Sequence, residues 1–265
     1  MLETTISTTL ERLVMQNAIA RKSYGVIRSF VASDTVAITF DDGPDPKYTP
    51  ALLEVLDQYA AKATFFVIGT HAEAYPSILD EIKDRGHALG NHSYSHPSFS
   101  LLSLRQRISE IRKCERAIGS VRRKLFRPPY GHSSGLSPLI ASLLGYDTVC
   151  WSVDAQDWEN ENVAWMFERL KQQTTGGSVI LLHDRLETAT DRKYFDRGPM
   201  LKLTARYLDY FAGIYKFITL PDMLKKAHAQ RVDWDVAISD QERELRKDEI
   251  SRLAVNTEAN DTGNP

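Results

Sequence analysis

From residue 35 the chain alternates short apolar runs with longer amphipathic ones, about seven times over, and this alternation limits the fold more than any other feature. The apolar runs are Thr35 to Phe40, Ala63 to Ile68, Gly86 to Gly90, Lys124 to Arg127, Tyr146 to Val153, Ser178 to Leu182 and Tyr215 to Thr219. Between them, Pro50 to Tyr59, Tyr75 to Arg85, Leu104 to Ile118, Leu136 to Leu144, Val163 to Gln173 and Met200 to Phe211 carry apolar residues at helical period. Repeated strand and helix units predict an α/β fold with a parallel sheet, either closed into a barrel or left open. A chain of 265 residues with 42% hydrophobic content can build this as one large domain.

The flanks differ from this repeat. Residues 2 to 31 place Leu10, Leu13, Val14, Val26, Ile27, Phe30 and Val31 at mostly helical spacing, which predicts an N-terminal helical extension over residues 1–34. The barrel is expected over 35–228, followed by a charged C-terminal extension over 229–265 whose end is expected to be disordered. Lysine plus arginine number 33 against 35 acidic residues, so the basic excess of a nucleic-acid binder is missing. Cys114 and Cys150 stand far apart in no CxxC pattern and are expected as reduced core residues. Glu3 and Glu11 interrupt what a signal peptide would need, and no run approaches the roughly 18 apolar residues of a transmembrane segment. Together these features predict a soluble, cytoplasmic enzyme, with an interfacial helix at the N-terminus as the alternative.

Residues of chemical interest follow five of the strand candidates: Asp41 and Asp42, His92 and His96, Arg127 and Tyr130, Asp154 and Asp157, His183 and Asp184. In a parallel barrel these positions are strand C-terminal ends, which share one face. Asp41 and Asp42 precede Gly43-Pro44, where a turn can aim both carboxylates into one pocket, and adjacent carboxylates repel unless a cation is present. His92 and His96, four residues apart, are expected on one side of a short helical turn. With Asp42 they supply two nitrogens and one oxygen, a ligand set for a catalytic zinc with open positions. The same set describes a nonhaem iron oxygenase, but that triad most often rides on a β-sandwich, so hydrolysis is favoured. Two prolines in Arg127-Pro128-Pro129-Tyr130-Gly131 make a rigid strand exit. His183, on a face with carboxylates and a histidine pair, is a candidate acid or base.

The sequences Thr39-Phe40-Asp41-Asp42-Gly43-Pro44, His92-Ser93-Tyr94-Ser95-His96, Arg127-Pro128-Pro129-Tyr130-Gly131, Asp154-Ala155-Gln156-Asp157-Trp158 and Leu181-Leu182-His183 resemble, in order, the five motifs of polysaccharide deacetylases. This is the NodB-homology group, or carbohydrate esterase family four, and the similarity covers roughly residues 35 to 226. The resemblance implies a distorted (β/α)7 barrel and metal-dependent hydrolysis of an N-acyl group, usually acetyl, from an amino sugar. It assigns Asp42, His92 and His96 to zinc or a similar divalent ion (Co2+, Ni2+ or Mn2+), Asp41 as base and His183 as acid. Arg127 would hold Asp41, Asp154 would orient His183, the backbone N–H of Tyr130 would meet the oxyanion, and Trp158 and Leu181 would line the acyl pocket. Competing readings are an amidase or deformylase acting on a lipid-linked or noncarbohydrate amide, and a noncatalytic sugar-binding protein of the same fold. Retention of both Asp41 and His183 argues against the last.

Two features look less typical of that family. Many relatives are exported to act on cell-wall polymers, so the missing export signal points to a cytoplasmic oligosaccharide, lipid-linked sugar or small N-acyl substrate. After His183 the chain runs long and charged through Arg185, Arg192, Lys193 and Arg197, which fits either a solvated loop or a lid favouring an anionic substrate.

Overall fold

The computed structural model describes residues 24–133, 137–234 and 236. Its centre is a parallel sheet built around β2 (Thr35–Asp41). On one side follow β3 (Ala63–Val67), β4 (Ala88–Asn91), β5 (Leu125–Phe126) and β6 (Asp147–Thr148); on the other, β8 (Val179–His183) and then β7 (Val153–Asp154). A short β9 (Lys216–Phe217) pairs with the start of β2. The described helices are α1 (Tyr48–Gln58), α2 (Gly69–Ala74), α3 (Pro76–Asp84), α4 (Leu104–Ile118), α5 (Ser137–Leu143), α6 (Val163–Gln173), α7 (Gly198–Phe211) and α8 (Leu220–Lys226). The seven-strand path from β6 to β7 is a curled, partly opened barrel, the distorted (β/α)7 architecture that the alternation and the motifs imply.

A two-residue period decides what each strand presents. Along β2, Val36, Ile38 and Phe40 join an outer core with Leu52, Leu53 and Leu56 of α1 and Leu203 and Tyr207 of α7. Ala37 belongs instead to an inner cluster with Phe66, Leu125, Val149 and Val179, and the period puts Thr39 and Asp41 on that inner face too. In β8, Ile180 and Leu182 pack outward, so Val179, Leu181 and His183 face inward. Burying each large outward side chain is worth roughly 1.5–3 kcal/mol, and this outer core holds the inner face in register. Parallel pairing then sets Asp41 directly beside His183.

Three departures from the sequence expectations have physical causes. Val26–Val31 is a strand, β1, antiparallel to β10 (His228–Val232), and not part of a helix. A register shift between Ile27 and Ser29 lets Val26, Ile27 and Phe30 all be buried, so a bulged strand imitates helical spacing. The rest of the expected N-terminal helix, residues 1–23, lies outside the described residues, as do the charge run and tail from 237 onward. The run Tyr146 to Val153 is split into β6 and β7. Between them the carbonyls of Val149 and Cys150 accept from Arg127, and Cys150 N–H bonds Ile27 of β1, so this stretch leaves the ladder. Finally β10, which the barrel boundary at 228 left out, closes the other edge of β1.

Among the described residues no helix is long and apolar enough to cross a membrane. Cys114 and Cys150 are buried free thiols, and burial pushes the titration of both upward.

Candidate active site

Asp41 ends β2 on the inner face, 2% exposed, and its Oδ1 accepts from Arg127 Nη1 at 2.7 Å. Arg127 is fully buried after β5. Its guanidinium also donates to Thr39 Oγ1 and to the Val149 and Cys150 carbonyls, and it stacks 4.1 Å from the Phe66 ring centroid. Four hydrogen bonds from this side chain therefore fix it beside Asp41.

Asp42 turns away from the strand with φ +72. Its Oδ1 lies 3.3 Å from His92 Nε2 and 3.1 Å from His96 Nε2. The following Gly43 leaves no room for a side chain, because an added Cβ would run into the Asp184 carboxylate. His92 follows β4, and the His92-to-His96 segment is a tight loop in which Ser93 (φ +66) and His96 (φ +59) are left-handed, not the helical turn that the spacing predicts. Asn91 Oδ1 accepts from Ser93 N–H, and Glu110 of α4 accepts from the N–H groups of Tyr94 and Ser95. These bonds pin the loop so that both rings face inward.

Each ring's Nδ1 is engaged away from the centre: His92 Nδ1 donates to the Arg127 carbonyl at 2.8 Å, and His96 Nδ1 lies 3.0 Å from Tyr130 Oη. With Nδ1 bonded to the Arg127 carbonyl, His92 turns its Nε2 toward Asp42. Burial by itself would raise the Asp42 carboxyl, but the charge of His96 and hydrogen bonds from both rings hold it well below the usual carboxylate range. Ligand atoms of Asp42, His92 and His96 all lie within 4.8 Å of one another, and all three residues are buried. Two nitrogens and one carboxylate oxygen, with the outer ring nitrogens already occupied, fit a divalent cation.

On the opposite strand, His183 Nδ1 bonds Asp157 Oδ1 at 2.9 Å, and His183 N–H bonds Asp157 Oδ2 at 3.0 Å. The orienting carboxylate is thus Asp157 and not Asp154. The turn through Gln156 (φ +56) swings Asp157 back under the strand end, while Asp154 accepts the Gln156 N–H and a bond from Trp158. Burial would lower the His183 pKa, but the adjacent Asp157 outweighs it and the ring is pushed up to about 9. Asp157 is itself held below the usual range against its burial by Arg197 and His183.

Arg197 donates to the Asp157 carboxylate, to the Asp157 and Tyr194 carbonyls and to the His183 carbonyl, and is 3% exposed. The sequence allows the charged segment to be either a solvated loop or a lid for an anionic substrate; the structure spends Arg197 on neither and buries it against Asp157. Nothing in the motif spacing marks it, because it lies in the charged segment beyond the last motif. Leu181 is buried opposite Asp154 in register, and Trp158 is partly exposed at the rim.

Tyr130 (φ +59) and Gly131 (φ +67) are consecutive left-handed residues. Trp151 packs where a Gly131 side chain would be, Trp234 Nε1 donates to the Gly131 carbonyl at 2.9 Å, and Ser133 exchanges two backbone bonds with Val236. A segment beyond β10 therefore braces the Arg127-to-Gly131 loop.

Comparisons with known proteins agree with this geometry. The family model for polysaccharide deacetylase matches residues 31–149. The chain is 40% identical over 154 residues to a chitooligosaccharide deacetylase of Azorhizobium caulinodans, spanning 57% of this chain and 73% of that protein. It is 35% identical over 175 residues to the peptidoglycan-N-acetylmuramic acid deacetylase PdaC of Bacillus subtilis, spanning 63% of this chain and 37% of that protein. Among solved structures, a peptidoglycan N-acetylglucosamine deacetylase in complex with 4-naphthalen-1-yl-N-oxidanyl-benzamide superposes with a TM-score of 0.69 at 32% identity, covering 76% of this chain and 93% of that one.

Proposed function

The chain belongs to the polysaccharide deacetylase family, and on that premise we propose that it removes the N-acetyl group from an amino sugar within an oligosaccharide or polysaccharide, using a divalent cation. The observation that carries this reading is the convergence on one barrel mouth of a two-histidine, one-carboxylate cluster, an arginine-held carboxylate and a carboxylate-held histidine.

An amide resists neutral water and expels an amine poorly, so both halves of the reaction need help. A cation held by Asp42, His92 and His96 would supply Lewis-acid polarisation of the acyl carbonyl and ease deprotonation of the attacking water. Asp41 takes that proton, fixed in place by Arg127, which Thr39 holds in turn. His183, kept protonated by Asp157, delivers a proton to the departing nitrogen. The Tyr130 N–H contributes to the oxyanion site, where such a donor is worth about 3–4 kcal/mol. Trp158 and Leu181 line the acyl side, and because the acid and base stand on neighbouring strands, the two proton transfers take place at separate points.

The test is mass spectrometry of products from a panel of N-acetyl and N-formyl sugars, polymeric, oligomeric and lipid-linked. Free amines from the N-acetyl oligosaccharides and polymers, lost on exhaustive chelation and restored by Zn2+, are expected. Activity that survives complete removal of metal would overturn the cation's part. Release of formyl but not acetyl groups would overturn the substrate assignment.

A further inference from the structure

The segment after His183 does more than cover solvent. Leu186 is buried, Arg185 Nη1 lies 3.3 Å from Asp45 Oδ2, and the Glu187 N–H donates to Asp42 Oδ2 at 2.9 Å. The Glu187 carboxylate is met in turn by His71, a residue of α2, whose Nε2 is 3.2 Å from Glu187 Oε2. His71 Nδ1 lies 2.9 Å from the Asp42 carbonyl oxygen, which can only accept, so this ring nitrogen carries the proton. The contacts close a ring: Asp42 carbonyl, His71, Glu187 side chain, Glu187 N–H, Asp42 Oδ2.

This ring makes the two oxygens of Asp42 inequivalent. Oδ1 faces the Nε2 atoms of His92 and His96, while Oδ2 is tied back by the Glu187 amide. Asp42 also has φ +72, and a non-glycine residue keeps such a backbone only where its surroundings enforce it. Any residue but proline at 187 would bring an N–H, and the side-chain contact to His71 is the anchor that ties residue 187 itself.

We infer that Glu187 and His71 are a positioning pair that holds Asp42 as a one-oxygen ligand and thereby sets the affinity of the site for a divalent cation. The inference rests on the cation reading given under Proposed function. It gives the charged segment a task that is separate from recognising substrate charge.

The experiment uses the full chain as wild type, Glu187→Ala, Glu187→Gln, His71→Ala and the Glu187→Ala/His71→Ala double variant. Zn2+ affinity is measured by competition with a chromogenic chelator, Co2+-loaded protein is examined by visible absorption, and the melting temperature of each metal-free protein is recorded. Glu187→Ala and His71→Ala should each weaken Zn2+ binding by about 10–100-fold, the usual cost of losing a partner behind a metal ligand. Both should alter the Co2+ spectrum while the metal-free melting temperature stays close to wild type. The double variant should be no weaker than the singles, because the two residues act as one device. Glu187→Gln can meet His71 Nε2 with either its amide oxygen or its amide N–H and should bind near wild-type affinity. Wild-type affinity and an unchanged spectrum in both alanine variants would overturn the pair, as would a loss in only one of them or additive losses in the double variant. A wild-type protein that takes up no divalent ion would overturn the cation reading as well, so the two failures are told apart by the wild-type measurement.

Discussion

Three of the buried carboxylates at the barrel mouth, Asp41, Asp42 and Asp157, are balanced in two different ways. Asp41 pairs with Arg127 and Asp157 with Arg197, each through a guanidinium that is almost wholly out of solvent. Among the described residues no lysine or arginine pairs with Asp42, whose oxygens meet two imidazoles and a backbone N–H. On the function proposed above, a permanent cation is built in where a carboxylate has to hold a fixed position for proton transfer. On the same reading, a place is left open where an exchangeable cation is to be held by the Asp42 carboxylate and two imidazole nitrogens.

The open side should fail most completely. His92→Ala or His96→Ala is expected to abolish tight Zn2+ binding and activity together, checked by elemental analysis beside turnover, with about one ion per chain in the wild type. Full activity in a variant that retains no metal would end the distinction between the two sides.

On the built-in side the metal should stay while chemistry falls. Asp41→Asn and His183→Ala should each lower kcat by at least about a hundredfold with metal content near wild type. Undiminished turnover of His183→Ala across pH would remove it as the proton donor.

A finer cut separates Asp157 from Asp154. His183 must be protonated to act as an acid, and its pKa is raised to about 9, so kcat/KM should fall as pH climbs through that value. In Asp157→Asn the ring loses the partner that raises it most, with only Asp42 and Asp41 left against its burial, and this basic limb should move down. Asp154→Asn should move the limb much less, and the reverse ranking would restore Asp154 as the orienting group. The same raised pKa links to stability with a definite sign: the contribution is complete below about 6.5 and is lost as pH rises through about 9.

The smallest effect is expected in the charged segment. Arg185 pairs with Asp45, Lys193 with Asp191, and Arg197 is committed to Asp157, while Arg192 is exposed where solvent screens its charge, so Arg192→Ala should leave kcat/KM unchanged for matched neutral and phosphorylated substrates. A selective loss on the phosphorylated one would give this segment a part in recognising charge.

Period and motif order were enough to find most strands and helices, including Leu104–Ile118 and Val163–Gln173 to the residue, because apolar spacing is a local property that tertiary contacts there reinforce. The cluster of Asp42, His92 and His96 was legible for a related reason: each follows the C-terminal end of a strand, and parallel strands bring those ends together. What stayed hidden depends on backbone reversal or on distant partners. Choosing Asp157 over Asp154 needs the left-handed Gln156, and placing Arg197 needs the path of a segment whose charges look equally suited to solvent. In β1 a bulge disguised the strand period, and β10, with its half-buried, polar sequence, carries no period clear enough to read.

The contacts of Trp234 and Val236 with Gly131 and Ser133 also impose an order on synthesis. A nascent chain that has already emerged through Leu181-Leu182-His183 carries all five motifs, yet β1 still lacks its antiparallel partner: Ser29 and Gln230 stand 201 positions apart. Until residues 228–236 leave the ribosome, the loop bearing Tyr130 lacks the Trp234 indole and the Val236 backbone to lean on, so a segment made after all five motifs braces the barrel mouth. Closure over so long a separation delays folding, as pairings between distant residues do in general. A ribosome that stops after Lys226, or a protease that cuts there, would release a chain with every motif and without this brace.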